Sequence, residues 1–277
     1  MTLLEAVVLG MVQGLTELLP ISSSAHLVLV PALLGWDEPS VPLAVALHVG
    51  TAAAVCVAFR RDLAELFSGT WRHVARRPRP DETAQRDRDS ARMVFCLAVA
   101  TLPAAVAGVA FKHAVEAAFH SPTAVGGFLL VTALILVAAQ WFSGRTKVRD
   151  AVTWKQALIV GLAQALALLP GVSRSGATIG AGLALGLEAT LAVRFAFLLS
   201  LPIILGGGLV EVFDLGGANI PPGELASYAV GALVAALCGW LAIKLVFGAV
   251  RTGRLGWYAV YCAVVGSVAL LAGLVRT

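Results

Sequence analysis

The chain has 277 residues, 59% of them hydrophobic and only 13% charged, with a formal net charge of +4. Soluble domains carry roughly a quarter charged residues, so with a mean hydropathy of +0.88 a soluble globular enzyme is excluded. Membrane orientation accounts for the small basic excess, which gives no case for nucleic acid as a partner.

In chain order, an interrupted apolar stretch over Leu3–Gly35 comes first. Glu5 lies where a cleavable signal would carry basic residues, and no small-residue cleavage site follows, so no signal peptide is expected. A span is predicted over about Pro42–Phe59. The polar segment Arg60–Arg92 follows, with nine arginines among six acidic residues. Further spans are predicted over Met93–Phe111 and Ser121–Phe142, joined by a Lys112–His120 loop holding His113, Glu116 and His120. A basic loop, Ser143–Asp150, leads to a second interrupted stretch, Gln156–Leu187. Spans over Thr190–Phe213, Leu225–Phe247 and Gly256–Val275 complete the chain, with Arg251 and Arg254 between the last two.

Stretches of this kind are long enough to cross a ~30 Å hydrocarbon core, and no ten-residue alternating segments of a β-barrel appear. Basic loops stay cytoplasmic, which leaves Trp36–Ser40, Lys112–His120 and Asp214–Glu224 as external connections. Glu5, Glu211 and Asp214 fall near span ends, and Arg194 is placed to snorkel to the cytoplasmic face. Cys56, Cys96, Cys238 and Cys262 stand singly in apolar runs and read as small buried hydrophobes.

Both interrupted stretches break at proline and a polar cluster, "LLPISSSAH" and "LLPGVSRSGAT". Proline ends a helix and disfavours the α region one residue upstream, so each half is too short to span alone. They read as re-entrant hairpins whose tips are buried in protein or face water. Leu18-Leu19-Pro20 matches Leu168-Leu169-Pro170, and Ser22-Ser23-Ser24 matches Ser173-Arg174-Ser175 with one residue inserted. Hairpin plus three spans therefore occurs twice, about 1–142 and about 155–277, in one integral-membrane domain. Three is odd, so the second copy enters from the opposite side. The expected fold is an all-α polytopic membrane protein with an inverted-topology repeat, six transmembrane helices and two re-entrant helical hairpins. Such folds place their site where broken helices meet near the midplane.

A helix starting at each serine cluster offers free backbone N–H groups and a positive dipole end, an anion site suited to phosphate. Arg174 at membrane depth needs a partner or ligand; Glu17 and a diphosphate both qualify. Gln13 and Glu17 share a helix face. Ser22 and Ser23 precede His26 by four and three residues, so one helical turn brings hydroxyl to imidazole. A hydroxyl near a base, with an arginine and helix N-termini, has the parts of a phosphoryl-transfer site. Glu17 could also hold a hard cation bridging phosphates. Each feature alone has a plainer reading: serines for close packing, a core histidine, a structural Glu17–Arg174 pair. Their coincidence at two helix breaks favours a site. His48 and Thr178 are ambiguous neighbours.

"QGLTELLPISSSAH" resembles the first motif of the bacterial undecaprenyl-diphosphatase family, also called bacitracin-resistance proteins. "LPGVSRSGATIGAGLALGL" is similar to its second motif and "RFAFLLSLP" to a further segment, so the likeness covers essentially the whole chain. Gln13 stands where that family often has Glu, and Ala25 where glycine is common; the glutamine weakens a metal or proton role there. The resemblance implies a phosphatase in the bacterial plasma membrane, converting undecaprenyl diphosphate to the monophosphate carrier of cell-wall synthesis and conferring bacitracin resistance. It implies Glu17, Ser23, His26 and Arg174 as essential residues, with Gln13, Ser22, Ser24, Ser173, Ser175, Gly176 and Thr178 around the diphosphate. It also implies a divalent cation, Mg²⁺ or Ca²⁺, with Glu17 as its protein ligand, and a site open to the periplasmic or outer side. Polyprenyl diphosphate and membrane lipids are the implied partners, with a homodimer left open. A transporter binding a phosphorylated solute would share the architecture but has no need of the serine–histidine–glutamate set. A haloperoxidase-like lipid phosphatase would need a histidine after Ser173-Arg174, and none follows.

Overall fold

A computed structural model describes residues 2–75, 81–119, 121–143, 148–214 and 223–276. In order, the helices are α1 (Leu3–Leu18), α2 (Ser23–Leu34), α3 (Val41–Ala58), α4 (Arg60–Val74), α5 (Asp81–Ala110) and α6 (Lys112–Phe119), followed by α7 (Pro122–Phe142), α8 (Trp154–Leu166), α9 (Arg174–Ala184), α10 (Ala189–Asp214), α11 (Leu225–Arg251) and α12 (Leu255–Arg276). Six of them, α3, α5, α7, α10, α11 and α12, are long and apolar enough to cross a membrane. Their apolar residues cover the outside as well as the core. Leu233, Leu237, Leu241 and Leu245 form an exposed stripe along α11, as do Val260, Val264, Val268 and Leu271 along α12. Only a lipid solvent makes such stripes stable.

The two hairpins start and stop by the same devices. Thr2 Oγ1 accepts from the Glu5 amide at 3.2 Å while the Glu5 carboxylate accepts from the Thr2 amide at 2.9 Å. Thr153 and Gln156 repeat this capping box on α8, at 3.3 and 3.0 Å. Ahead of Pro20 and Pro170 respectively, α1 and α8 end, and α2 and α9 run back. The arms have 16, 12, 13 and 11 residues; at 1.5 Å per residue even the longest reaches only about 24 Å, short of a ~30 Å core.

Each hairpin leans on a span of the other half of the chain: α1 packs on α11, and α8 on α5. Small residues permit the close approach. A Cβ on Gly14 would sit 2.4 Å from the Ala235 carbonyl oxygen, and one on Gly161 2.5 Å from that of Ala100. α11 is also wedged against α3, where Gly50 meets the Ala232 carbonyl, and α7 crosses α12 at Gly126 and Gly266. Between membrane helices such backbone-to-backbone packing replaces the hydrophobic drive that lipid removes.

Two connections differ from expectation. Lys112–Phe119, expected as loop, is helix α6; its sequence, KHAVEAAF, is rich in strong helix formers, and loop polarity outweighed them in the reading. The polar Arg60–Arg92 segment contains α4 and the first turns of α5. They are clamped by Arg72, which donates to Asp87 Oδ1 through Nε at 3.0 Å and Nη2 at 2.8 Å. Arg194, expected to snorkel, pairs with Asp62 of α4. His120 and parts of the expected Ser143–Asp150 and Asp214–Glu224 connections lie outside the described residues.

Candidate active site at the hairpin tips

The tips need unusual backbone. Ser22 has φ +70°, the one non-glycine residue with positive φ among those described, and Gly171 has φ +108°. Gly171 also lies so close to α7 that a Cβ would sit 2.5 Å from the Val125 carbonyl, so no other residue fits there. Reciprocal bonds tie the tips together. The Gly171 amide donates to Ser24 Oγ at 3.2 Å, and Ser175 Oγ donates to the Leu19 carbonyl at 3.0 Å. Thr132 of α7 secures the second tip, donating to the Gly171 carbonyl and accepting from the Ser173 amide, each at 2.8 Å.

Glu17, at the end of α1, is the hub. Arg174 Nη2 donates to its Oε1, and Ser23 Oγ donates to its Oε2. Gln13 Nε2 donates to Oε2 at 3.2 Å, and His48 Nε2 lies 3.8 Å from that oxygen. The Glu17 side chain is only 4% exposed. A carboxylate so placed requires this density of partners.

A cavity of about 130 Å³ opens on the hub, lined by Glu17, Ser22, Ser23, Ser24, Ser173 and Arg174 from the tips, with His48, Gln164 and Ile203 beside them. Six of the expected residues thus meet at one opening. A larger opening of about 770 Å³, beside Arg92, Arg149 and Lys155, holds none of them, and chemistry places the site at the smaller one. Gln13 sits behind Glu17. Ser175 holds the first tip. Ser173 Oγ caps α9 by accepting from the Gly176 amide at 3.1 Å. A side chain at Gly176 would press on Ser173 and Pro20 at 3.1–3.4 Å. Thr178 donates to the Arg174 carbonyl at 2.8 Å and is not among the cavity's lining residues.

The hydroxyl–imidazole pairing expected from spacing is corrected. His26 Nδ1 faces the Ser22 carbonyl at 2.7 Å, and Nε2 meets the Tyr261 hydroxyl at 2.6 Å, with the two rings stacked at 5.6 Å. A carbonyl only accepts, so Nδ1 carries the hydrogen, and in the neutral ring Nε2 accepts from Tyr261. The hydroxyl partner of Ser23 is therefore Glu17. His26 instead holds Ser22 in its strained conformation. Sequence reading missed Tyr261 and Gln164; the first carries no local signal, and the second is a lone polar residue just before the second break.

Electrostatically, the opening joins an arginine to the N-terminus of α2, which its N-cap residue, Ser22, leaves without a side-chain cap. Both attract an oxyanion. Among the described residues no three His, Cys, Asp or Glu side chains cluster as a metal site. Glu17 and the serine hydroxyls are hard oxygen donors, which fits a cation only where a phosphate ligand completes the shell.

Comparison with known proteins agrees with this chemistry. The family described as "Bacitracin resistance protein BacA" matches residues 6–268. A protein of Desulfatibacillum aliphaticivorans named undecaprenyl-diphosphatase is 41% identical over 98% of this chain and 99% of its own length. Proteins of the same name from Geobacter sulfurreducens and Myxococcus xanthus are 42% and 40% identical, covering 98% of this chain and 98% and 89% of theirs. The chain therefore belongs to the BacA family of bacitracin-resistance proteins.

Proposed function

We propose that this protein is a multi-pass membrane phosphatase that hydrolyses undecaprenyl diphosphate to undecaprenyl phosphate and inorganic phosphate. The observation that carries the reading is the hub of Glu17, Ser23 and Arg174 at the meeting of two hairpin tips. Family membership and relatives named for this activity support it.

In this reading the diphosphate enters the cavity while its isoprenoid chain stays along the apolar helix surface. Arg174 turns its remaining guanidinium donors to the phosphate oxygens, and the first-turn amides of α2 add to them. Ser23 Oγ attacks the terminal phosphorus as Glu17 Oε2 takes its proton. The bond to the bridging oxygen breaks, and lipid monophosphate leaves. Water then hydrolyses the phosphoserine, releasing phosphate and restoring the hydroxyl. A divalent cation, Mg²⁺ or Ca²⁺, would be held by Glu17 together with the substrate and would supply charge neutralisation at the phosphoryl oxygens. His26 acts from behind by fixing Ser22, and with it the direction of Ser23.

The protein resides in the bacterial plasma membrane with the cavity open to the outer side. The basic residues of α4 support a cytoplasmic end of α3, and with it entry of the first hairpin from outside. The test is phosphate release from a polyprenyl diphosphate by the detergent-solubilised protein, with and without chelator. Saturable binding without release would favour a transporter.

A further inference from the structure

We propose that Gln164 is a substrate-binding residue that donates a hydrogen bond from its side-chain amide to an oxygen of the bound diphosphate. This rests on the phosphatase reading above and extends it to a residue outside both tip motifs.

Gln164 lies in the last turn of α8, is 1% exposed and lines the cavity with Glu17, Ser23 and Arg174. Neither Nε2 nor Oε1 has a hydrogen-bond partner. Buried amides are almost always satisfied, so one left open towards a cavity marks a place reserved for a ligand or for water.

Comparison of the hairpins sharpens the point. Each first arm carries a glycine three residues before a glutamine, Gly10 with Gln13 and Gly161 with Gln164. Both glycines press against a neighbouring backbone, Gly10 on Gly231 and Gly161 on Ala100, so each glutamine lies about one turn along from a close helix contact, Gln164 falling one position nearer its proline than Gln13. Gln13 is fully buried and spends its Nε2 on Glu17, one turn further on. One turn beyond Gln164 stands Leu168, which offers no acceptor. The first amide is used to orient the carboxylate; the second faces the same cavity with its donors free. An anion between the tips would meet Arg174, the α2 N-terminus and Gln164, which line the same cavity.

The test uses the full-length protein in detergent at a fixed divalent-ion concentration, with inorganic pyrophosphate as the probe. Gln164→Leu and Gln164→Met remove the donor at similar size. Each is expected to raise KM for polyprenyl diphosphate and weaken inhibition by pyrophosphate about tenfold, as for loss of a hydrogen bond to a charged group, with Tm unchanged or higher. Gln164→Glu, which sets a carboxylate against the phosphate, is expected to lose more. Wild-type KM and pyrophosphate inhibition in both apolar variants would overturn the proposal. So would a fall in kcat with pyrophosphate inhibition unchanged, since Gln164 would then serve the chemical step alone. A Ser23→Ala control separates the two readings. If Ser23→Ala is inactive and Gln164→Leu normal, only the Gln164 assignment fails; if Ser23→Ala stays active, the site itself is wrongly placed.

Discussion

Glu17→Gln removes the carboxylate charge bonded to Arg174 while keeping the shape of the side chain. The two side chains are 4% and 18% exposed. Breaking a buried ion pair from one side costs about 3–5 kcal/mol, because the other charge is left uncompensated. The partial exposure of Arg174 puts this case at the lower end, about 3 kcal/mol. In a chain somewhat above 250 residues each kcal/mol moves Tm by about 2 °C, so a fall of about 6 °C is expected in detergent. Glu17→Gln with Arg174→Gln removes both charges and should recover most of that fall while remaining inactive. Inorganic pyrophosphate should raise the Tm of Glu17→Gln more than that of the wild type, since it supplies the anion Arg174 has lost. Thermal unfolding of the variants, read beside phosphate release, checks all of this. A Glu17→Gln protein melting within about 2 °C of wild type, the range of a neutral surface change, would refute the uncompensated-charge reasoning. An active double variant would reduce the pair to a structural contact.

Ser23→Ala should lower turnover by about three orders of magnitude or more with Tm preserved, whereas Ser24→Ala should lose less activity and more Tm because Ser24 holds Gly171; phosphate release and melting on both variants check this, and an inactive Ser24→Ala beside an active Ser23→Ala reverses the assignment. Gly14→Leu drives a side chain into the Ala235 carbonyl and Cys238, at 2.4 and 2.7 Å from its Cβ, and should cost about 3 kcal/mol. Gly127→Ala meets nothing within 4 Å and should be neutral or gain up to about 1 kcal/mol of helix propensity; paired melting curves distinguish the two outcomes. Glu188, at the head of α10, accepts from the Leu191 amide at 2.9 Å; burial works against its charge, but bonds from Thr190 and Leu191 outweigh it and hold its carboxyl below the usual range. The Tm advantage of wild type over Glu188→Gln should therefore be full above pH ~4.3 and vanish as pH falls through the lowered value; an advantage that grows on acidification would contradict the sign.

The membrane fold was legible because lipid demands long apolar helices, and composition reports those directly. The hairpins were legible because Pro20 and Pro170 stop helices locally, and α1 and α8 end ahead of them. Helix α6 was not legible from polarity, which made Lys112–His120 look like loop, although its alanines and charged helix formers favour a helix. The grouping of Glu17 with Arg174 was read from electrostatics, since a charge at membrane depth needs a partner and few were on offer.

The wiring inside the site was a different matter, and His26 shows why. Spacing placed its ring within a turn of Ser22 and Ser23, and the ring does lie against Ser22. Side chains on a helix lean toward its N-terminus, so His26 reaches back over the carbonyl of Ser22 and not to a hydroxyl. Ser23, at the first position of α2, projects off the helix end toward the last turn of α1, where Glu17 waits. Which of two near groups a serine meets thus depends on how the hairpin closes. That closure is set by Tyr261, Gly171 and Thr132, which are far away in the chain. The same dependence makes the tips one unit. Ser24 bonds the second tip and Ser175 the first, so the strained Ser22 backbone is held from both halves of the chain. A change in either hairpin should therefore disturb the direction of Ser23, even where it touches neither the carboxylate nor the arginine.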